Sequence, residues 1–307
     1  MKNLINQKFS RRNLLRGAGA GLIGASLGLG SKAAYAQEAS ALPTALQRFD
    51  FGDASATLIE ENQFNLPLDA FGGGAPEGAV SELLANWNLP TGGVNASVTV
   101  AVVTMGEEII ILDTGTGQNT ATGLTAAGIA PENVTRVIMT HWHGDHVGGA
   151  SAEGALTFPN ASYHFPQADW DFLQTADSDN AKGSLAKLQP VEDAGQLEFY
   201  SAGELLPGVE ALATPGHTPG HHAIRISSGD SGFMYVGDAI THPVTALVHP
   251  EWAFGFDGDP EQASATRVEL LESLSESGMR MISTHFPFPG AGFVAQMNDM
   301  FVFTPGS

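Results

Sequence analysis

The run VIMTHWHGDHVGG, Val137 to Gly149, gathers His141, His143, Asp145 and His146 into six positions of a chain that has ten histidines. Imidazole and carboxylate at this density are the makings of a metal centre. Neutral imidazole is the commonest metal ligand, and with carboxylate it suits zinc, with manganese, cobalt or iron as other options. At the end of a strand side chains alternate, so His141 and His143 project to one side and can share a cation. Asp145 and His146 follow after the chain turns at Gly144 and point elsewhere, which supplies a second, adjacent metal position. Two ligands do not satisfy a cation, and three remote residues have the right local setting. His217 sits in ATPGHTPGH, where Pro215, Gly216, Pro219 and Gly220 fix a tight loop; Asp238 ends the apolar run FMYVGD; His285 ends RMISTH. Each leaves an apolar run where a rigid scaffold presents polar groups. The chain has no cysteine, so neither thiolate ligands nor disulfides are open to it.

Strand ends must carry these residues. SVTVAVVTMGEEIIILDTG, Ser97 to Gly115, reads as two β-rich runs joined at a tight turn near Gly106, with Ile109 to Leu112 a buried strand that stops at Asp113. TRVIMT is a further apolar run, ending where the histidines begin. ASYHF is a strand, followed by a helix through PQADWDFLQTA with Pro166 in its first turn. From Gly195 to Ile240 several short strands are cut by Gly and Pro. DPEQASATRVELLESLSES starts with Asp, carries proline in its first turn and keeps helical periodicity, and RMISTH is a last strand. Strands, helix, strands, helix suggest two facing sheets with helices outside. Segment 62 to 94, with Gly72 to Gly74, is the least regular part and a candidate flap.

The beginning of the chain reads differently. SRRNLLR, Ser10 to Arg16, precedes the mildly apolar GAGAGLIGASLGLG and then AYA, Ala34 to Ala36, the pattern of an export signal. The paired Arg11 and Arg12 point to the twin-arginine route, so the export machinery is an expected partner and the periplasm or the exterior the expected location. The segment has about half the roughly 20 apolar residues that a spanning helix needs, so stable membrane insertion is not expected. Cleavage after Ala36 removes six of the thirteen Lys and Arg and no Asp or Glu, taking the formal charge from -20 to -26. So acidic a surface repels phosphate backbones and anionic lipid, which argues against nucleic-acid partners.

The order H-x-H-x-D-H, then a loop histidine, then GD, then a late TH resembles the metallo-β-lactamase superfamily from about Phe51 onward. FNLPLDAF, FDGDPEQASATR and HFPFPG are similar to its methyl parathion hydrolase and acyl-homoserine lactonase branch. The resemblance implies an α/β (α+β) fold, an αββα sandwich of two mixed β-sheets flanked by helices, as one domain over 37–307 after a signal peptide over 1–36. It also implies two divalent metal ions, Zn2+ first. His141, His143 and His217 would hold one, Asp145, His146 and His285 the other, and Asp238 would bridge them. Asp113 in LDTG would steady a ligand imidazole without touching metal. His164, His221, His222, His242 and His249 match no ligand position and are read as structural, with His221 a candidate for support because it closely follows the His217 loop. Phe64, Phe71, Trp142, Phe286 and Phe288 are candidates for a substrate pocket, the last two favoured because they flank His285.

Two cations about 3.5 to 4 Å apart can share a hydroxide that stays deprotonated near neutral pH and serves as nucleophile, while polarising the bond under attack. Asp145 would orient the attacking oxygen, which makes Asp145 and Asp238 the catalytic candidates. Lactonases of the family generally place a tyrosine three positions after the bridging aspartate; here DAIT puts Thr241 there. A leaving group that needs no proton would be tolerated; otherwise the metal or His242 must help. The expected reaction is hydrolysis of a small-molecule lactone or carboxylic ester, with an organophosphate triester as the alternative. A mononuclear iron sulfur dioxygenase is the alternative of another class, and the complete second ligand set argues against it. A homodimer is left open.

Overall fold

A computed structural model describes residues 45–306, so the expected export signal at 1–36 lies outside the described residues. Two seven-stranded sheets account for most of the strands. The first runs, in spatial order, through Leu46–Phe51, Ala54–Leu66, Val94–Met105, Glu108–Leu112, Arg136–Ile138, Ser162–Pro166 and Leu197–Tyr200. Its first four strands are antiparallel and the remainder parallel. The second takes Gly203–Leu206, Val209–Ala213, His222–Ser228, Ser231–Tyr235, Arg280–Ile282, Ala291–Met297 and Met300–Pro305, with one parallel pair, Ser231–Tyr235 beside Arg280–Ile282. Parallel neighbours require crossovers, and these carry the helices.

The layering follows from period-two alternation. In Val94–Met105, Ala101 and Val103 enter the core between the sheets, whereas Val100 and Val102 face outward beneath helices. Ile110 and Leu112 likewise point inward and Ile111 outward, so a continuous apolar run is buried on both faces. The inner core joins Phe49, Leu58 and Ile138 of one sheet to Ile224, Phe233 and Ile282 of the other. Outside the first sheet pack Leu124, Leu173, Leu188 and Val191 from helices; outside the second pack Leu270, Leu271 and Leu274 of the Pro260–Ser277 helix. The architecture is the αββα sandwich.

Two local expectations change, and one helix was not expected. Pro166 closes its strand and sits at the N-cap of the Gln167–Leu173 helix, one position ahead of the first turn. Segment 62–94 is more regular than a flap: it holds the Ala79–Asn86 helix and a short strand, Phe71–Gly73, paired with Ala253–Phe254. Val80, Leu83 and Leu84 recur at helical spacing there and close a small core with Phe71 and Phe254. The Asp179–Asp193 helix has no counterpart in the sequence reading, because Gly183 and Pro190 interrupt its pattern; Ser178 caps it by accepting from Ala181 N.

Candidate metal centre

Every residue of the centre leaves the end of a strand at one rim of the sandwich. Arg136–Ile138 ends three residues before His141, so the histidine pair occupies the extended loop beyond the strand rather than the strand itself, and His143 caps the short Gly144–Val147 helix that carries Asp145 and His146. That helix lies close under the preceding strand end. Thr114 N donates to His146 O at 2.7 Å, and a Cβ on Gly149 would come within 2.2 Å of Thr114 O, so only glycine allows this approach. The His217 loop is pressed as tightly onto the Pro260–Ser277 helix: a Cβ on Gly216, whose φ is +123°, would meet Ala263 N at 2.2 Å.

The seven residues expected as ligands come together. His141, His143, His217 and Asp238 form one group, and Asp145, His146 and His285 a second. Asp238 lies between them, its carboxylate oxygens 3.2 Å from Nε2 of His146, of His217 and of His285. His143 Nδ1 lies 3.2 Å from His141 Nε2 and 2.9 Å from His217 Nε2. Asp145 Oδ2 is 3.4 Å from His285 Nε2.

Each of four rings has its far nitrogen engaged by the protein. His141 Nδ1 meets Thr140 Oγ1 at 3.0 Å, His146 Nδ1 meets Asp113 Oδ2 at 2.7 Å, His217 Nδ1 meets Asp257 Oδ1 at 3.0 Å, and His285 Nδ1 meets Ser97 O at 2.9 Å. That leaves Nε2 of each turned to the common space. Asp113 itself stands at φ 60°, a left-handed conformation that an aspartate tolerates better than most residues, and it also accepts from Thr140 N and Oγ1. His221 Nε2 accepts from Asp238 N at 3.0 Å, which gives this histidine a supporting place.

The electrostatics are those of crowded imidazoles around one carboxylate. Burial holds His141 well below its usual value and His143 at about 3, so both present lone pairs at neutral pH. Burial pulls His217 down too, but Asp238 and Asp257 outweigh it and carry the ring to about 9; Asp238 likewise raises His146 and His285 against burial. Burial pushes the Asp238 carboxyl up, yet the surrounding imidazoles, His285 first, hold it well below the usual range.

The donor set fits cations. His146 Nε2 and Asp238 Oδ1 are fully buried and have no hydrogen-bond partner although they face each other, and an orphaned buried polar atom costs about 1–3 kcal/mol. A cation placed among these atoms removes that cost.

The centre opens into a cavity of about 620 Å³ that Asp145, Asp238, His143 and His285 line at one end and Phe64, Leu66, Phe254 and Phe256 wall. Of the five aromatic candidates Phe64 is on this wall. Phe286, 0% exposed, meets Phe303 edge-on in the outer core, and Phe288 packs on the core between the sheets. Trp142 lies against Phe172, and Phe71 against Phe254 and His242. Trp142 and Phe286 each adjoin a converging histidine but lie in loops beyond the strand ends, and both turn away from the cavity into apolar cores. His242 is not on the cavity wall either, its Nδ1 accepting from Val244 N and Thr245 N. Among the described residues no tyrosine reaches it; the hydroxyls of Tyr163, Tyr200 and Tyr235 are spent on Ala150 O, Met139 O and Thr99 O.

Sequence reasoning missed two carboxylates. Asp169 is buried and ties the two histidine loops together, accepting from Trp142 N at 3.0 Å, from Gly220 N at 2.6 Å and from Thr218 Oγ1 at 2.8 Å, while burial pushes its carboxyl up to about 6. Asp257 holds His217 from behind.

Known proteins share this architecture. A sequence profile of the Metallo-beta-lactamase superfamily matches residues 92–285. An N-acyl homoserine lactonase of Bacillus cereus is 26% identical over 193 residues, covering 63% of this chain and 71% of the lactonase. An atrochrysone carboxyl ACP thioesterase of Passalora fulva is 31% identical over 145 residues, 45% of this chain, which spans 37% of that protein. The solved structure of AidC, described as a dizinc quorum-quenching lactonase in complex with a product, superposes with a TM-score of 0.82 at 25% identity over 86% of this chain and 98% of AidC. AbOPH, a hydrolase in the beta lactamase superfamily, shares the fold with a TM-score of 0.78 at 24% identity over 85% of this chain and 97% of its own. Since the matched stretch contains all seven converging residues, from His141 to His285, the chain belongs to the metallo-beta-lactamase superfamily.

Proposed function

We propose that this chain hydrolyses a lactone or carboxylic ester with an apolar acyl part, at a centre that takes two divalent cations, Zn2+ first. It is a metal-dependent hydrolase acting on ester bonds, in keeping with its family and its lactonase relatives. The observation that carries the finer reading is the placement of Asp238 between two complete ligand groups at the mouth of an apolar cavity. His141, His143 and His217 would hold one cation, Asp145, His146 and His285 the other, and Asp238 both. When bound, such a pair would supply an activated water nucleophile at neutral pH and Lewis-acid polarisation of the carbonyl.

The chain's own groups do the rest. Asp113 and Asp257 fix the rings of His146 and His217 through their Nδ1 atoms. Asp145, half-buried, lines the cavity and would orient the attacking oxygen. Phe64, Leu66, Phe254 and Phe256 receive the acyl part and keep water from it. A second reading, hydrolysis of an organophosphate triester, draws on the lack of any tyrosine on the wall among the described residues, since a nitrophenolate leaves without a proton. Twin-arginine export to the periplasm or beyond belongs to the same proposal and draws on Arg11, Arg12 and the AYA site.

The test is a hydrolysis screen of the exported protein, whose first residue by mass spectrometry is expected to be Gln37, on lactones, aryl esters and phosphotriesters. Turnover of lactones or esters, lost on chelation and restored by zinc or manganese, with two cations per chain, is the expected result. Turnover of triesters alone favours the second reading. One iron per chain without hydrolysis sinks both and favours a dioxygenase.

A further inference from the structure

The Asp257 carboxylate is completely buried, and its two oxygens have separate tasks. Oδ1 faces His217 Nδ1 at 3.0 Å. Oδ2 accepts from Phe254 N at 2.9 Å and from Arg267 Nη2 at 3.0 Å. Arg267, 1% exposed in the middle of the Pro260–Ser277 helix, is itself fixed: Nε donates to Ala239 O at 3.0 Å, and Nη1 donates at 2.9 Å to Pro250 O and to Trp252 O. One guanidinium therefore grips the residue after Asp238, the chain just ahead of Phe254 and the carboxylate behind His217. A planar fork with this many fixed acceptors leaves Asp257 a single orientation.

We infer that Asp257, locked by Arg267, is a positioning residue that keeps the ring proton of His217 on Nδ1, so that a cation held with His141, His143 and Asp238 would meet the Nε2 lone pair, and that it ties this ligand to the Phe254 and Phe256 wall of the cavity. The inference rests on the metal-centre reading above. A carboxylate can only accept, so it demands a proton on Nδ1 and frees Nε2. An asparagine can satisfy Arg267 and Phe254 N with its carbonyl oxygen and then turns its NH2 toward His217. That donor claims the Nδ1 lone pair and puts the ring proton on Nε2, where a cation would sit. The same logic governs histidines oriented by buried carboxylates elsewhere, and removing such partners typically weakens metal binding about 10–100-fold.

Chelator competition on the zinc-loaded chain gives the test. Asp257→Asn is expected to weaken one of two cations by about 10–100-fold in a chain that still unfolds cooperatively, at a melting temperature lowered because Arg267 loses its buried counter-charge. In a His217→Ala background the same substitution is expected to add nothing, since it acts through the missing ring. Unchanged affinity in Asp257→Asn overturns the inference, and so does an equal loss in both backgrounds, which marks a general structural role. Should the variant not fold, 15N spectra of imidazole-labelled, zinc-loaded parent decide: a protonated Nδ1 on His217 supports the assignment, and zinc on Nδ1 overturns it. A parent chain that takes up no cation at all refutes the metal-centre reading instead.

Discussion

Asp169 shows how much of a candidate metal centre is held together by groups outside the converging ligand set. Its three donors come from the loops of His143 and of His217, and without it both backbones lose a buried acceptor. Leaving such donors unpaired costs about 1–3 kcal/mol apiece. Asp169→Ala is therefore expected to destabilise the chain by at least about 2 kcal/mol, read as a lowered urea midpoint; a loss within about 0.5 kcal/mol, the range of ordinary surface changes, refutes the buttressing role. The converging side chains themselves were legible, because His141, His143, Asp145 and His146 stand together and His217, Asp238 and His285 each close an apolar run. Asp169 and Asp257 were not, since a lone aspartate carries no mark of the partner that the fold brings to it. The pocket aromatics fell between. Trp142 and Phe286 adjoin converging histidines yet turn away from the cavity in the loops beyond the strand ends, whereas Leu66, Phe254 and Phe256 reach it through contacts distant in sequence that no local pattern reveals.

The Gly144–Val147 helix has four residues and no apolar face to speak of, so its place is set by backbone contact. Gly148 and Gly149 bring it against Thr114 and Thr116, where their missing Cβ atoms leave room for carbonyl oxygens. Gly149→Ala forces one backbone away from the other and is expected to cost about 1–3 kcal/mol, as overpacking does, and to weaken cation retention because His146 rides on the displaced turn. A variant with parental melting temperature and parental metal content counts against this account. The glycines were visible in the sequence, and so were strands such as Ile109–Leu112 and the Pro260–Ser277 helix, whose Asp259 cap accepts from Gln262 N as its sequence suggests. The Asp179–Asp193 helix was hidden: Gly and Pro break its periodicity, and packing of Ala181, Leu188 and Val191 on the first sheet holds it instead.

The ligands come from both sheets, His141 to His146 from beyond the first and His217, Asp238 and His285 from the second. Cations would thus fasten one half of the sandwich to the other. At free cation 1,000-fold above Kd the linkage is worth about 4 kcal/mol, which for a domain of this size corresponds to a melting temperature raised by roughly 10 °C. Calorimetry with and without chelator checks this, and an unchanged midpoint argues against cations that bridge the halves. The acidic surface adds to the same balance, since a formal charge of -20 repels itself and cations among the buried carboxylates offset part of that strain. The position of His285, just ahead of the closing hairpin Ala291–Met297 and Met300–Pro305, also sets a timetable. A nascent chain exposes the early histidines long before the late one has left the ribosome, so two cations held as proposed could be captured together only after His285 has been synthesised and its sheet has closed on the first.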